Sequence, residues 1–319
     1  WSRARDAVVG WATLAAMSST PTDDPDCSTA SAEPTVAQVI DAKPRDLGGF
    51  TVGRVLPALA RRMVGPFTFL DQMGPAELPP GRGIDVRPHP HIGLATVTYL
   101  FDGAIDHRDS VGSFQTIRPG DINWMTAGRG IVHSERTPPE LRATGSRLWG
   151  LQMWVALPID DEEMEPSFVH HPAATIPELT RDGARLRVLI GSAFGVTSPV
   201  ATRSPMIYVD AVLAQGGTLA VPDGYDEIAA YVIEGAIGCG AERAPAGRML
   251  VFAPGARPTL CATEAAHVVL LGGASVGPRF LEWNFVASSR ERLAQARHDW
   301  QDRKFPTVPG DDVEFIPYP

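Results

Sequence analysis

A short segment occurs twice in this chain, and this repeat limits the fold more than any other feature of the sequence. Residues 99–105 (Tyr-Leu-Phe-Asp-Gly-Ala-Ile) and residues 231–237 (Tyr-Val-Ile-Glu-Gly-Ala-Ile) agree in residue type at every position. Residues 120–128 and 247–255 also correspond, since each is an apolar, strand-like run closed by a glycine. An offset of about 130 residues between the copies predicts two units of one β fold in tandem.

Short apolar runs separated by glycine and other turn residues continue from about residue 36 to residue 272. Little of this span has helical periodicity, so the pattern indicates β-sandwiches or β-barrels. A helix is predicted after it, from about Ser289 to Arg303, because apolar residues recur at helical spacing behind a capping-box sequence. The proline-rich tail that follows is predicted to lie extended along the surface.

These patterns predict four parts in the chain. Residues 1–40 form an N-terminal extension, disordered or non-native, because residues 18–35 are rich in Ser, Thr, Pro and Asp and cannot bury enough apolar surface. Met17 is interpreted as the native start, with a targeting segment as the alternative for the residues before it. Residues 41–165 form the first barrel, residues 166–285 the second, and residues 286–319 the C-terminal helix and tail.

Strong metal-binding side chains occur in the first copy of the repeat as two pairs with the same spacing. His89 and His91 form one pair, and His133 and Glu135 form the other. Residues two apart in a strand point to the same face, so each pair can direct both side chains into one cavity. The two pairs are therefore predicted to converge on a single metal ion.

The second copy of the repeat lacks these side chains. Val221 and Asp223 stand where the first pair of histidines would be. At the offset that relates residues 120–128 to residues 247–255, Leu260 and Ala262 stand where His133 and Glu135 would be. Residues that only served the fold should recur with it. The metal site is therefore predicted in the first barrel alone, and the second barrel without ligands.

Composition excludes several other functions. The 319 residues carry a net charge of −9, which argues against direct nucleic-acid binding. No apolar run approaches the roughly 20 residues that span a bilayer, so no membrane association is predicted. The three cysteines, Cys27, Cys239 and Cys261, are too few and too scattered for a disulfide framework or a cysteine zinc site, which favours reduced thiols and a cytoplasmic location.

The sequence from His89 to Glu135 resembles the pirin family of bicupins. The similarity rests on His-Pro-His at the start, Arg-Pro-Gly-Asp at residues 118–121 and Trp-Met-Thr-Ala-Gly-Arg-Gly-Ile-Val-His-Ser-Glu at residues 124–135. It extends upstream through residues 64–75 and downstream to residues 305–310, so it covers nearly everything beyond about residue 40.

The resemblance implies an all-β fold of two cupin barrels of the jelly-roll type in tandem, with a short C-terminal helix. It also implies one metal ion, usually iron, in the N-terminal barrel, held by His89, His91, His133 and Glu135. Some bacterial pirins oxygenate flavonols as quercetin 2,3-dioxygenases, and animal pirins act as nuclear transcriptional coregulators. One departure is Ala95, where the general cupin pattern has a glutamate that would orient ligands or substrate.

We therefore predict a divalent transition metal. Fe(II) is favoured by the resemblance, and Ni, Cu, Mn and Zn are left open by the ligand types. The predicted reaction is metal-dependent dioxygenation of a small aromatic, flavonol-like substrate by O2, as in quercetin 2,3-dioxygenase. Glu135 is the predicted catalytic base, since a carboxylate within hydrogen-bond reach can take the substrate hydroxyl proton.

Two alternatives remain open. The first is a non-enzymatic, redox-sensing regulator that acts through a protein partner. The second is a structural zinc ion that fills all four ligand positions. The remaining histidines are predicted to be structural, and Arg129 is predicted to pair with Asp71 or Asp121. These histidines are His107, His170, His171, His267 and His298.

Overall fold

The computed structural model describes residues 35–46 and 50–319. The predictions for residues 1–34 lie outside the described residues. The described chain is built from β-strands, with two α-helices and two short 3-10 turns. Neither α-helix in this part of the chain is long and apolar enough to cross a membrane.

The first half contains twelve strands and a short helix. They are β1 (Val36–Asp41), β2 (Lys43–Asp46), β3 (Thr51–Leu56), β4 (Phe67–Leu78), β5 (Asp85–His91), β6 (Leu94–Asp102), β7 (Ile105–Asp109), β8 (Phe114–Ile117), β9 (Ile122–Thr126), β10 (Ile131–Arg136), α1 (Pro139–Thr144), β11 (Ser146–Ala156) and β12 (Ser167–His171).

The second half contains the remaining strands and the longer helix. They are β13 (Glu178–Arg181), β14 (Ala184–Ile190), β15 (Ser192–Ala193), β16 (Val196–Thr197), β17 (Met206–Leu213), β18 (Thr218–Ala220), β19 (Glu227–Glu234), β20 (Ala236–Cys239), β21 (Glu242–Pro245), β22 (Arg248–Phe252), β23 (Thr259–Ala262), β24 (Ala266–Gly273), β25 (Phe280–Glu282), β26 (Phe285–Ala287) and α2 (Arg290–Gln301). The 3-10 turns are Ile159–Asp161 and Ala173–Thr175.

Each half forms one seven-stranded and one four-stranded antiparallel sheet. In the first half the strand orders are β12-β9-β6-β11-β4-β3-β2 and β5-β10-β7-β8. In the second half they are β1-β22-β19-β24-β17-β14-β13 and β18-β23-β20-β21. Two jelly-roll-type barrels in tandem are therefore present, as the sequence predicts.

Two edge strands cross the predicted domain bounds. β1, from the start of the described chain, pairs with β22 in the large sheet of the second half. β12, which begins two residues after the predicted end of the first barrel, pairs with β9 in the large sheet of the first half. Each barrel is therefore completed by chain from outside its predicted segment, and the domain bounds given above stay a prediction.

A continuous apolar layer joins the two seven-stranded sheets. It contains buried residues from both halves, among them Val97, Leu151, Tyr208 and Leu271. Ala95 belongs to this layer and is fully buried, because odd-numbered positions of β6 face the second half while even-numbered positions face the first barrel. The alanine at position 95 therefore removes no acid from the barrel interior.

The repeated segments occupy equivalent places in the two barrels. Tyr99 lies in β6 and Tyr231 in β19, and each side chain is almost fully buried. Gly103 and Gly235 end these strands with φ angles of 85° and 72°, a conformation that favours glycine. The repeat therefore preserves both the central tyrosine and the turn that follows it.

The C-terminal segment returns to the first barrel. Ser289 caps α2 by accepting a hydrogen bond from the backbone N–H of Arg292, and the predicted stripe of Leu293, Ala296 and Trp300 is buried. These side chains pack with Ile92 and Val132 of the first barrel and with Phe285 of β26. The predicted helix is confirmed, and its apolar face packs on β25 and β26, in the cluster that also contains Ile92 and Val132.

Candidate metal centre

Two neighbouring strands carry the predicted ligands. β5 and β10 run antiparallel, and His133 lies opposite His89 in their register. A bulge follows His133, so that Glu135 lies opposite Val86. All four residues line one cavity in the first barrel.

Three of the four predicted ligands converge. One ring nitrogen from each of His89, His91 and His133 lies within 4.8 Å of the others, and all three side chains are buried. Glu135 lies in the same cavity, but its carboxylate does not belong to this cluster. Its place in a ligand set stays a prediction.

Two of the imidazoles have their protonated nitrogen fixed by a backbone carbonyl. The Nδ1 atom of His89 is 2.9 Å from the carbonyl oxygen of Arg87, and the Nδ1 atom of His91 is 2.9 Å from that of Asn284. Since a carbonyl oxygen only accepts hydrogen bonds, each Nδ1 carries the proton and each Nε2 has a lone pair. Both lone pairs are then available to a metal ion.

Burial favours the neutral form of all three rings. Burial lowers the pKa of His89 to about 4, and burial together with the neighbouring imidazoles lowers the pKa of His91 and His133 well below the ordinary value. Neutral imidazole is the form that binds metal. The site is therefore ready to bind a cation near neutral pH.

The donor geometry fits a transition metal. The Nε2 atoms of His91 and His133 lie 3.1 Å apart. Two imidazoles that bind one ion at about 2.1 Å and at a right angle are separated by about 3.0 Å. The spacing of these two nitrogen atoms is therefore compatible with a single shared ion.

The same cavity has an aromatic wall. Phe69 and Trp154 stack with ring centroids 4.2 Å apart, and Trp154 and His91 meet in a T-shaped arrangement with centroids 5.1 Å apart. The guanidinium of Arg54 lies over Phe69 at 4.5 Å and forms two 2.8 Å hydrogen bonds to Asp71. The cavity encloses about 390 Å³, which is the size of a small-molecule site.

The far C-terminal chain completes the cavity. Trp283, Asn284 and Ile316 line it together with the strands of the first barrel. The strand β26 can lie close to β5 because residue 93 is glycine, with φ of 65°, and a Cβ there would collide with the carbonyl oxygen of Val286. Sequence reasoning missed Asn284, although this residue lies within the span of the pirin resemblance.

Sequence reasoning also assigned His107 to the structural histidines. In the structure its Nδ1 lies 3.5 Å from the Nδ1 of His133, and its Nε2 lies 2.9 Å from Asp109. The available signal was the same two-residue spacing on one strand, His-Arg-Asp, which the second copy replaces by Cys239 and Ala241. Among the others, His170 contacts Asn123 and His267 contacts Asp210, away from the site.

The prediction for Arg129 is wrong. Its guanidinium pairs with Glu165 at 2.6 Å on the surface, whereas Asp71 pairs with Arg54. Asp121 accepts hydrogen bonds from backbone N–H groups, including that of Ala173. Gly128 and Gly130 turn the chain outward at Arg129, so the side chain lies outside the barrel.

The chain therefore contains two β-barrels, and three imidazoles meet inside the first one. This arrangement defines a bicupin with a candidate metal site in its first half. The family model for pirin matches residues 49–155, and the model for the pirin C-terminal cupin domain matches residues 208–306. The chain belongs to the pirin family, which confirms the resemblance found in the sequence.

Individual relatives agree with this assignment. A pirin-like protein of Caulobacter vibrioides is 52% identical over 284 residues, which cover 88% of this chain and 98% of the relative. A crystal structure of quercetin 2,3-dioxygenase from Acinetobacter baumannii is 34% identical, with a TM-score of 0.82 over 88% of this chain and 94% of that one. A second quercetin 2,3-dioxygenase structure from the same organism is 28% identical, with a TM-score of 0.79 over 85% of this chain and 98% of that one.

Proposed function

We propose that this protein is a mononuclear metal-dependent dioxygenase that acts on flavonol-like substrates, of the quercetin 2,3-dioxygenase type. The observation that carries the proposal is the convergence of three neutral imidazoles at the end of an aromatic-walled cavity. The similarity to a quercetin 2,3-dioxygenase over almost its whole length supports the substrate class. Regulation through a protein partner stays an alternative prediction.

The proposed cofactor is one divalent transition metal, with Fe(II) first and Ni, Cu, Mn and Zn as alternatives. His89, His91 and His133 would hold it, and Glu135 is the proposed fourth ligand. When bound, iron(II) supplies a Lewis acid for adjacent hydroxyl and ketone oxygens and the redox chemistry that O2 requires. The protein contributes the shape, the orientation and the proton transfers.

Glu135 is the proposed proton acceptor. Burial raises the pKa of its carboxyl, while His107 and a hydrogen bond with Thr98 act in the opposite direction. A carboxylate with a raised pKa holds a proton more readily, which suits a group that takes the hydroxyl proton of a bound flavonol. Its position beside the three histidines in the cavity supports this role.

The aromatic wall is proposed to hold the substrate. A planar ring system can slide against the stacked pair of Phe69 and Trp154 and reach the histidines at the end of that wall. Arg54 lies over the outer face of the same stack and is held by Asp71, so it can receive a phenolic oxygen. Leu281 and Ile316 also line the cavity and add apolar surface to it.

The test uses protein purified without added metal, followed by elemental analysis and loading with Fe(II), Ni(II), Cu(II) or Mn(II). Mixing with quercetin in the absence of oxygen should shift the flavonol absorption, and admitting air should consume O2 and quercetin together. His91→Gln should abolish both effects. The matched control is His267→Gln, a histidine in the second half, which should retain them. If none of the four loaded proteins consumes O2 with quercetin, the proposed activity is wrong.

A further inference from the structure

Asp109 is a buried carboxylate whose two oxygens have separate tasks. Its side chain is fully buried at the end of β7. The Oδ1 atom accepts hydrogen bonds from the backbone N–H groups of Val111 at 3.0 Å and Ser113 at 2.9 Å. The Oδ2 atom lies 2.9 Å from the Nε2 atom of His107. The turn therefore fixes the carboxylate, and its remaining oxygen faces one imidazole.

His107 lies between this carboxylate and a proposed metal ligand. Its ring stacks on Phe168 of β12, with centroids 4.3 Å apart and planes 15° apart. Its Nδ1 atom lies 3.5 Å from the Nδ1 atom of His133. The three side chains are buried, so water does not replace these contacts. Asp109, His107 and His133 thus form a chain of hydrogen-bonding groups that ends at the candidate metal site.

The direction of these hydrogen bonds follows from the carboxylate. An ionised carboxylate only accepts, so the Nε2–H of His107 donates to Asp109. The Nδ1 atom of a neutral His107 then has a lone pair and accepts from the Nδ1–H of His133. This places the lone pair of His133 on Nε2, the atom that lies 3.1 Å from the Nε2 atom of His91.

We propose that Asp109, acting through His107, sets the tautomer of His133 so that its Nε2 atom can bind the metal ion. Both are positioning residues, and the inference rests on the proposed metal site. The other two histidines have backbone carbonyls as Nδ1 acceptors, at Arg87 and Asn284. His133 has no such carbonyl among the hydrogen bonds of the described chain, and His107 takes that place.

Asp109→Asn tests the direction of these hydrogen bonds, because asparagine has nearly the same size as aspartate. The amide Oδ1 can keep both backbone hydrogen bonds, which leaves the NH2 group facing His107. That NH2 donates to His107 Nε2, which moves the His107 proton to Nδ1. His133 must then accept at Nδ1 and carry its own proton on Nε2, where it blocks metal binding. A similar exchange at an aspartate that orients a histidine produces the wrong tautomer in serine proteases.

His107→Gln tests whether polarity or packing matters. A glutamine can donate from its NH2 group to Asp109 and accept from His133 Nδ1–H through its oxygen, so the direction is preserved. It loses the stacking on Phe168. If His107 had only a structural role, His107→Gln should weaken metal binding at least as much as Asp109→Asn does. The proposal predicts that His107→Gln weakens metal binding less.

The experiment measures two quantities on wild type, Asp109→Asn and His107→Gln. Long-range 1H–15N NMR spectra of the metal-free protein with 15N-labelled histidine report which ring nitrogen of His133 carries the proton. Titration with Co(II), followed by its visible absorption, gives metal affinity. The control is Asp210→Asn, since Asp210 is a buried carboxylate that contacts a histidine, His267, in the second half.

Wild type and His107→Gln should have the His133 proton on Nδ1 and should bind Co(II) within about threefold of each other. Asp109→Asn should move the proton to Nε2 and weaken Co(II) binding by about 10- to 100-fold, and Asp210→Asn should change neither quantity. A proton that stays on Nδ1 in Asp109→Asn overturns the proposal, as does unchanged Co(II) affinity in that variant. If wild type binds no Co(II), the proposed metal function fails, and the NMR spectra still decide the tautomer.

Discussion

The two repeated tyrosines provide a matched pair for measuring what holds the two halves together. The hydroxyl of Tyr99 donates to Asp210 Oδ2 at 2.8 Å and accepts from Arg187 at 3.1 Å, so it joins two charged groups of the second half. The hydroxyl of Tyr231 donates to the neutral side-chain oxygen of Gln72 at 2.6 Å. The variants Tyr99→Phe and Tyr231→Phe each remove only the hydroxyl group.

The expected losses differ because the partners differ. A hydrogen bond to a charged group contributes about 1.5–3 kcal/mol, and Tyr99→Phe removes one from each of two buried charged side chains, so we expect a loss of about 3 kcal/mol. A neutral hydrogen bond contributes about 1 kcal/mol, which is the loss expected for Tyr231→Phe. The difference of about 2 kcal/mol corresponds to about 30-fold in the unfolding equilibrium constant.

Urea unfolding followed by tryptophan fluorescence measures both variants against wild type at pH 7. Binding of Co(II) should be unchanged in both, because neither hydroxyl lies in the cavity of the first barrel. Equal losses in the two variants, or a larger loss for Tyr231→Phe, would refute the reasoning from charge. A change in metal affinity would show that the central layer and the metal site are coupled.

Three further predictions concern the site and the tail. In the metal-free protein, the low pKa of His89 means that the unfolded chain binds a proton below pH 6.5 while the native state does not until about pH 4. Stability to urea should therefore fall by about 3 kcal/mol across this window, and His89→Gln should reduce the fall. Glu135→Gln should reduce quercetin oxidation by about 100-fold or more, measured by O2 uptake, with a smaller effect on metal content because the three histidines remain. Arg136→Ala, which removes the ion pairs to Asp311 and Glu314, should make the tail more sensitive to limited proteolysis at a cost of about 1 kcal/mol, whereas Arg147→Ala on the exposed surface should not.

The local patterns predicted the parts of the fold that depend on neighbouring residues. Strand periodicity placed His89 beside His91, and the antiparallel arrangement of two such strands brought His133 to them. The repeat predicted two barrels because each copy must bury the same tyrosine and make the same turn. The helical stripe from Leu293 to Trp300 was predicted for the same local reason.

The contacts that local patterns did not predict are those between distant segments. No spacing rule connects His91 with Asn284, because their contact depends on how the C-terminal segment packs over β5. The general cupin pattern has a glutamate at position 95 that would orient ligands or substrate. In this chain, strand alternation places the side chain of residue 95 in the layer between the two large sheets. The prediction paired Arg129 with Asp71 or Asp121 because the neighbouring glycines do not indicate whether its side chain points into the barrel or out to solvent.

The return of the C-terminal chain has a consequence for biosynthesis. The carbonyl that orients His91 belongs to a residue 193 positions later, so it is still unmade when the first barrel leaves the ribosome. During synthesis, the imidazoles of the first barrel can therefore bind an ion before the C-terminal segment completes the cavity. We expect selective loading to wait until translation ends, and a polypeptide cut before Asn284 to hold its ion loosely or accept the wrong one.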